Sequence, residues 1–324
     1  MREWNRRTTM MAILVWTMVV GVTSGALAQS KTTLIFSSGP SGGSWVPLAA
    51  ATAEVVRRAY PDVGIEVEPG GTLVNMDKIM RDKAHMGWTM STAMAEARER
   101  KGRWSDKPVD KMKYVASYYP NVWQLAAPAD AGINSVADLK GKAVALPTRA
   151  AASLDYGWWP ILQAYGLSAE ALGTKSYGSI SDNVELIKNR QAVAMGWLTG
   201  VPASFMLDLG SSQKVRLLPV SEDAVKKVTS LNAGFARFVI PKGTYTGIDQ
   251  DIVTVQASTS LIVSTGLPAD VVYKITKAIV DNRAKFVSVT SAMKNIGPAD
   301  MAQNFGMPLH PGAERYYREA GLLK

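Results

Sequence analysis

The chain has 324 residues, enough for two domains, and its 47% hydrophobic and 19% charged content is that of an ordinary globular protein with a sizeable core. Cysteine is absent, which excludes disulfides, thiolate catalysis and cysteine-ligated metals, and two histidines, His85 and His310, are too few for a His-rich metal site or a Ser-His-Asp triad. A formal net charge of +9 suits anionic ligands or an acidic partner face, and equally a solvated basic surface with no partner; an export signal disfavours nucleic acid.

Residues 1–28 read as a secretory signal peptide. Arg2, Arg6 and Arg7 form a basic start, Met10 to Gly21 an apolar stretch too short for a membrane span, and Ala26-Leu27-Ala28 a cleavage site before Gln29. Arg6-Arg7 leaves a twin-arginine route open beside the general secretory one. Cleavage removes three arginines and one glutamate and lowers the net charge by two. The expectation is a soluble, periplasmic, monomeric mature chain that needs no cofactor and no metal.

Thr32 to Ser37 is a β-rich apolar run, Gly39 to Trp45 a glycine loop, and Val46 to Tyr60 an Ala/Val-rich helix. Ser44 suits the N-cap and Pro47 the first turn. Such a junction turns backbone N–H groups and the positive end of a helix dipole toward an anion. It has neither the lysine of a Walker loop nor GxGxxG spacing, and a plain strand-to-helix turn explains the local sequence equally well. Gly64 to Glu68 alternates as a half-exposed strand. Pro69-Gly70-Gly71-Thr72 is a second glycine turn, with Thr72 capping a helix over Leu73 to Arg81. A short strand, His85 to Thr89, leads through Ser91 to a charged, exposed helix over Ala93 to Lys101.

Tyr114 to Ala127 is a long β-like stretch broken at Pro120, and Ala143 to Leu146 is a further strand. In the second half, a helix over Asp182 to Asn189 capped by Ser181 precedes a strand over Ala192 to Leu198. Pro202 to Leu209 reads as a helix and Val215 to Val220 as a strand. Thr254 to Val263 is a strand, Pro268 to Asp281 a helix with an apolar stripe that belongs to the core, and Glu314 to Ala320 a final helix. The alternation predicts parallel α/β sheets. Asn75 to Trp88 resembles Asn183 to Trp197: in both, an amphipathic helix and a charged turn lead to a strand with Met-Gly-Trp, which indicates two similar lobes.

Several separated stretches carry a family resemblance: Gly42-Gly43-Ser44-Trp45 with Pro47, Gly70-Gly71-Thr72 with Asn75, Asp138 to Lys142, Thr199-Gly200-Val201-Pro202, Pro241 to Tyr245, and Leu309-His310-Pro311-Gly312-Ala313-Glu314-Arg315-Tyr316-Tyr317. Over about residues 31–322 the chain resembles the TAXI family of solute receptors, which serve tripartite ATP-independent periplasmic (TRAP) transporters. The resemblance implies an α/β, two-lobed periplasmic-binding-protein fold of type II, each lobe a central β-sheet flanked by helices, with a ligand cleft between. Lobe I would comprise 29–124 plus 252–324 and lobe II 125–251, the chain crossing near Val122 to Pro128 and again around Ile240 to Val255. The receptor would close on a small carboxylate and hand it to TRAP permease subunits driven by an ion gradient.

The residues agree with that site. Ligands of open α/β sheets sit beyond the carboxyl ends of strands. The expected ligand contacts are Gly42, Gly43, Ser44, Trp45, Thr72, Asn75 and Ser91 from the first lobe, and Arg149, Ser153, Trp197, Thr199 and Gly200 from the second. Arg149 offers a planar, charge-assisted grip on a carboxylate, although a solvent-facing loop arginine is an equal alternative. The chain departs from the family at Leu146 to Ser153, where a glycine-rich segment is usual, at Ser91-Thr92, where Ser-Asp is frequent, and at Ser44-Trp45, where Tyr-Tyr is common. Glutamate specificity is therefore not carried over, and a ligand with net negative charge is favoured. Of Trp45, Trp88, Trp123, Trp158, Trp159 and Trp197, two or three are expected at the cleft, Trp45 and Trp197 first. No nucleophile–base pair or paired acid is evident, so an enzyme on a two-lobed scaffold is the weakest alternative. A ligand sensor for a membrane receptor kinase and a feeder of an ATP-driven transporter are the others.

Overall fold

A computed structural model of the chain describes residues 32–39, 44–106, 109–149, 151–305 and 307–323. Residues 1–28, expected to be a signal peptide, and the expected ligand contacts Gly42 and Gly43 lie outside the described residues. The first run of elements is β1 (Thr32–Ser37), α1 (Trp45–Ala59), β2 (Val63–Glu68), α2 (Thr72–Met80), β3 (Met86–Met90), α3 (Ser91–Arg98) and the long β4 (Met112–Pro128). The second is β5 (Val144–Pro147), a π-helical turn (Leu154–Trp158) running into α4 (Trp159–Ala164), β6 (Lys175–Gly178), α5 (Ile180–Lys188), β7 (Ala194–Thr199), α6 (Ser204–Ser212), β8 (Val215–Leu218), α7 (Glu222–Leu231) and β9 (Phe235–Ile240). The chain then returns along β10 (Ile252–Ser264) to α8 (Ala269–Asp281), the short α9 (Ala284–Val287) and α10 (Pro298–Met301), and α11 (Pro311–Glu319).

The strands repeat one order twice. One half of the ten-stranded sheet is ordered β2-β1-β3-β10-β4 and the other β6-β5-β7-β4-β8, with β9 added on β10. Within each, three short strands are parallel, because crossover helices join them. The crossing strands run the other way: β10 is antiparallel to β3 and β4, and β4 is antiparallel to β7 and β8. The sheets are therefore mixed rather than parallel. Val122 pairs with Gln256 of β10 and with Thr199 of β7, so β4 passes from one half of the sheet to the other at that residue.

Local readings shift where tertiary contacts outweigh sequence signals. β4 runs through Pro120 without a break, because the pairing with β10 is irregular between Ser258 and Ser260, next to the Ser258–Pro120 pair, where a missing N–H is tolerated. The helix read as charged and exposed is largely buried: Ala93, Met94, Ala95 and Ala97 of α3 face the core, and its charges gather at the C-terminal end. α2 starts at Thr72 with Gly71 at the cap, so Thr72 is its first residue rather than its cap. α5 starts two residues earlier than expected, at Ile180, capped by Ser179 in a reciprocal pair with Asp182. The tail motif has a packing reason. A Cβ on Gly312 would lie 2.1 Å from the Ala269 carbonyl oxygen, so only glycine lets α11 meet the start of α8. His310 Nδ1 accepts the Gly312 N–H at that helix start.

Candidate functional site

The seam between the lobes is built on β4 and β10. Ser44 precedes α1, but its hydroxyl does not cap the helix; it lies 2.7 Å from the Tyr119 hydroxyl on β4. The indole Nε1 of Trp45 donates to Thr259 Oγ1 on β10 at 3.3 Å, and Asn121 Nδ2 donates to the same oxygen at 2.7 Å. Burial pushes the Tyr119 phenol up, partly offset by the hydroxyls of Ser44 and Thr259 and the Trp45 indole, so the group stays a neutral donor and acceptor. Two hydroxyls, a phenol, an amide and an indole thus converge at the edge where β1 feeds α1. Gly200 packs on the same spot. A Cβ on Gly200, just past β7, would lie 3.3 Å from Ala292 Cβ and 3.7 Å from Tyr119 Cε2, both in the first lobe.

Ser44, Trp45 and Gly200 are therefore brought together, and Thr199 lies beside them. The carbonyls of Thr199 and Gly200 accept from Gln124 Nε2, whose Oε1 accepts from the Tyr245 hydroxyl. Tyr119, Asn121 and Thr259 are the site residues that the sequence reading misses. Their signal is the polar interruption of two apolar strands, at Tyr118-Tyr119-Pro120-Asn121 and at Ser258-Thr259-Ser260.

Other expected contacts are already committed to the protein. Asn75 is fully buried; its Oδ1 accepts from Gly71 N at 2.9 Å, and its Nδ2 donates to the Ser38 and Trp88 carbonyls at 2.7 Å each. Ser91 is fully buried, donates to the Gly234 carbonyl and accepts from Ser258 N. A Cβ on Gly234 would lie 2.4 Å from the Ser91 carbonyl oxygen, so this stretch of chain occupies the start of α3 where a ligand was expected. Ser153 accepts from Leu198 N, and Thr72 is buried at the start of α2. All four are buried. Trp88, Trp123 and Trp158 are core residues; Trp88 donates to the Trp45 carbonyl and Trp158 to that of Gly196.

Arg149 is exposed at the end of β5, its guanidinium 4.0 Å from the centre of the Tyr177 ring. Trp197 is half-buried, with a buried, unpaired Nε1. A second interlobe contact lies at α3: the Tyr156 hydroxyl of the π-helical turn donates to Glu96 Oε2. Beside it, burial raises the Asp155 carboxyl, opposed by the charge of Arg103. A surface hollow of about 440 Å³ lies elsewhere, at the C-terminal ends of α4 and α7, lined by Gln163, Ala164, Lys226, Lys227, Ser230 and Leu231.

The model of the NMT1-like family matches residues 36–321, nearly the whole described chain. The chain belongs to the NMT1-like family. Among solved structures, this NMT1-like chain is similar to a protein of Xanthomonas citri with ATP bound: 14% identity, a TM-score of 0.50, and coverage of 90% of this chain and 96% of that one. It is also similar to the alkanesulfonate-binding protein SsuA from Xanthomonas axonopodis pv. citri bound to MOPS (15% identity, TM-score 0.46, 90% and 94% covered). The periplasmic aliphatic sulphonate binding protein SsuA from Escherichia coli gives 13% identity, a TM-score of 0.47, and 89% and 87% coverage. The NMT1-like chain thus shares an α/β fold, helices on a mixed β-sheet, with that Xanthomonas citri protein. Among its described residues, no helix is long and apolar enough to cross a membrane.

Proposed function

We propose that this protein is an extracytoplasmic solute receptor of the TAXI type, which binds a small organic anion between lobes 29–124 plus 252–324 and 125–251 and passes it to a TRAP permease in the periplasm. The observation that carries this reading is the cluster of Ser44, Trp45, Tyr119, Asn121 and Thr259 at the seam, with Gly200 of the other lobe closing on Tyr119. Such a cluster can hold one polar end of a solute with contacts made only when the lobes are together, and that difference drives closure. Arg149 supplies the positive charge for a carboxylate. Hydroxyls, an amide and an indole bind and orient but lack the nucleophile–base pairing of a catalyst.

A micromolar complex needs about −8 kcal/mol, within reach of one buried carboxylate and aromatic packing. Calorimetry of the mature chain with mono- and dicarboxylates tests the reading; silence across the panel overturns it. Arg149→Ala is expected to weaken a bound carboxylate about tenfold or more, because a charge-assisted hydrogen bond contributes about 1.5–3 kcal/mol. Unchanged affinity removes Arg149 from the site.

A further inference from the structure

Two joined side chains grip the loop that carries Gly200. The loop runs from Thr199, the last residue of β7, to Ala203, just before α6. It leaves the sheet at the Thr199–Val122 pair, where β4 passes from one half of the sheet to the other. Gln124 Nε2 donates to the Gly200 carbonyl at 3.2 Å and to the Thr199 carbonyl at 3.5 Å. The Tyr245 hydroxyl accepts from Ala203 N at 2.7 Å and donates to Gln124 Oε1.

The bonds fix one another's direction. A phenol has one proton. Because its oxygen takes the Ala203 N–H, that proton goes to the amide oxygen of Gln124, and the amide nitrogen is left for the loop carbonyls. Burial pushes the Tyr245 phenol up to about 12, so the proton stays in place at neutral pH. Gln124 and Tyr245 are both buried and come from different stretches. Gln124 belongs to β4, and Tyr245 to the β9–β10 connection, which closes on itself through Gly243 N to the Ile248 carbonyl and Lys242 N to Asp251 Oδ1. What reaches the seam is the loop. Gly200 sits against Ala292 and Tyr119, and the Tyr119 hydroxyl meets Ser44. Packing of this kind is sensitive to position, since a gap of about 0.5–1 Å forfeits a quarter to a half of a van der Waals contact.

We propose that Gln124 and Tyr245 are positioning residues for solute capture: they hold the Thr199–Ala203 loop so that Gly200 seats against Tyr119 and Ala292 and closes the seam over the solute. This inference rests on the receptor reading above.

The chain lacks cysteine, so an introduced pair reports the contact directly. A Cβ on Gly200 would lie 3.3 Å from Ala292 Cβ, close to the separation of about 3.5–4.5 Å found in disulfides. The test measures how fast oxidised glutathione cross-links G200C/A292C in the mature chain, alone and combined with Y245F, Q124M, both, or Y317F. The parent pair should cross-link, and Y245F and Q124M should each slow it about fivefold or more. Because the two side chains act as one relay, the double variant should match the slower single variant within about twofold. Y317F loses a buried phenol bond of the same kind, to the Met301 carbonyl, and should cross-link at the parent rate. A parent pair that does not cross-link, unchanged rates in Y245F and Q124M, or equal slowing in Y317F overturns the proposal. Q124M decides alone if Y245F does not fold. Calorimetry with succinate and glutarate, well below the melting temperature, should show the tighter acid bound about tenfold more weakly by Y245F than by wild type. Equal affinities overturn the role in capture. If wild type binds neither acid nor any other carboxylate of the panel, the receptor's ligand class fails instead, and the cross-linking rates still decide whether Gln124 and Tyr245 seat Gly200.

Discussion

Asn75→Ala is expected to lower the stability of the protein by about 2–4 kcal/mol, since it orphans two buried carbonyls at about 1–3 kcal/mol each, less than additively, and a half-buried N–H. The groups are Gly71 N–H and the carbonyls of Ser38 and Trp88. The surrounding chain is shaped to this one amide. A Cβ on Gly70 would lie 2.0 Å from Asn75 Oδ1, and one on Gly87 would lie 2.9 Å from Asn75 Cβ. Denaturant titration should show a lower midpoint with an unchanged slope. A midpoint within experimental error of wild type would show that the turn after β1 is held by something else.

Tyr156→Phe is expected to act on closure. The Tyr156 hydroxyl reaches Glu96 across the lobes, and the Glu96 carboxylate packs on Gly102, where a Cβ would lie 2.2 Å from Oε1. Gly102 has φ 54°, a left-handed conformation that glycine adopts without strain. The carboxylate is thus pre-set on the first lobe before the phenol arrives. A hydrogen bond to a charged group contributes about 1.5–3 kcal/mol, so its loss should shift the closed state and weaken solute binding about tenfold or more. Solution scattering of solute-free Y156F should give a larger radius of gyration than wild type, while denaturant stability changes less than in the Asn75 variant. Equal radii and equal affinities would show that this contact does not govern closure.

Much of the site's scaffold was readable along the chain because it depends on local chemistry. Ser44 and Trp45 stand at the start of α1, and Arg149 at the end of β5, as the glycine and proline punctuation implies. Asn75 and Ser91 are expected from the sequence as ligand contacts, whereas the structure has both hydrogen-bonded within the protein; a polar residue at a helix start looks the same in sequence whether it faces solute or ties backbone together. Which it does depends on burial and on distant carbonyls, such as that of Gly234 for Ser91. The contact of Glu96 with Tyr156, 60 positions apart, has no sequence signal, because nothing in either helix's periodicity refers to the other.

By itself the sequence determined the alternation of strands and helices and the doubled Asn-to-Met-Gly-Trp pattern. These follow from apolar periodicity, turn residues and motifs that act over a few positions. Only the tertiary structure decided that β4 and β10 run antiparallel through both lobes, and that Tyr119, Asn121 and Thr259 meet Ser44 and Trp45 at the seam. It alone distinguished Asn75, fully bonded, from Asn183, without a partner. The physical reason is that strand pairing and buried hydrogen bonds join residues by space, and a one-residue shift of register would seat each of these groups against different neighbours.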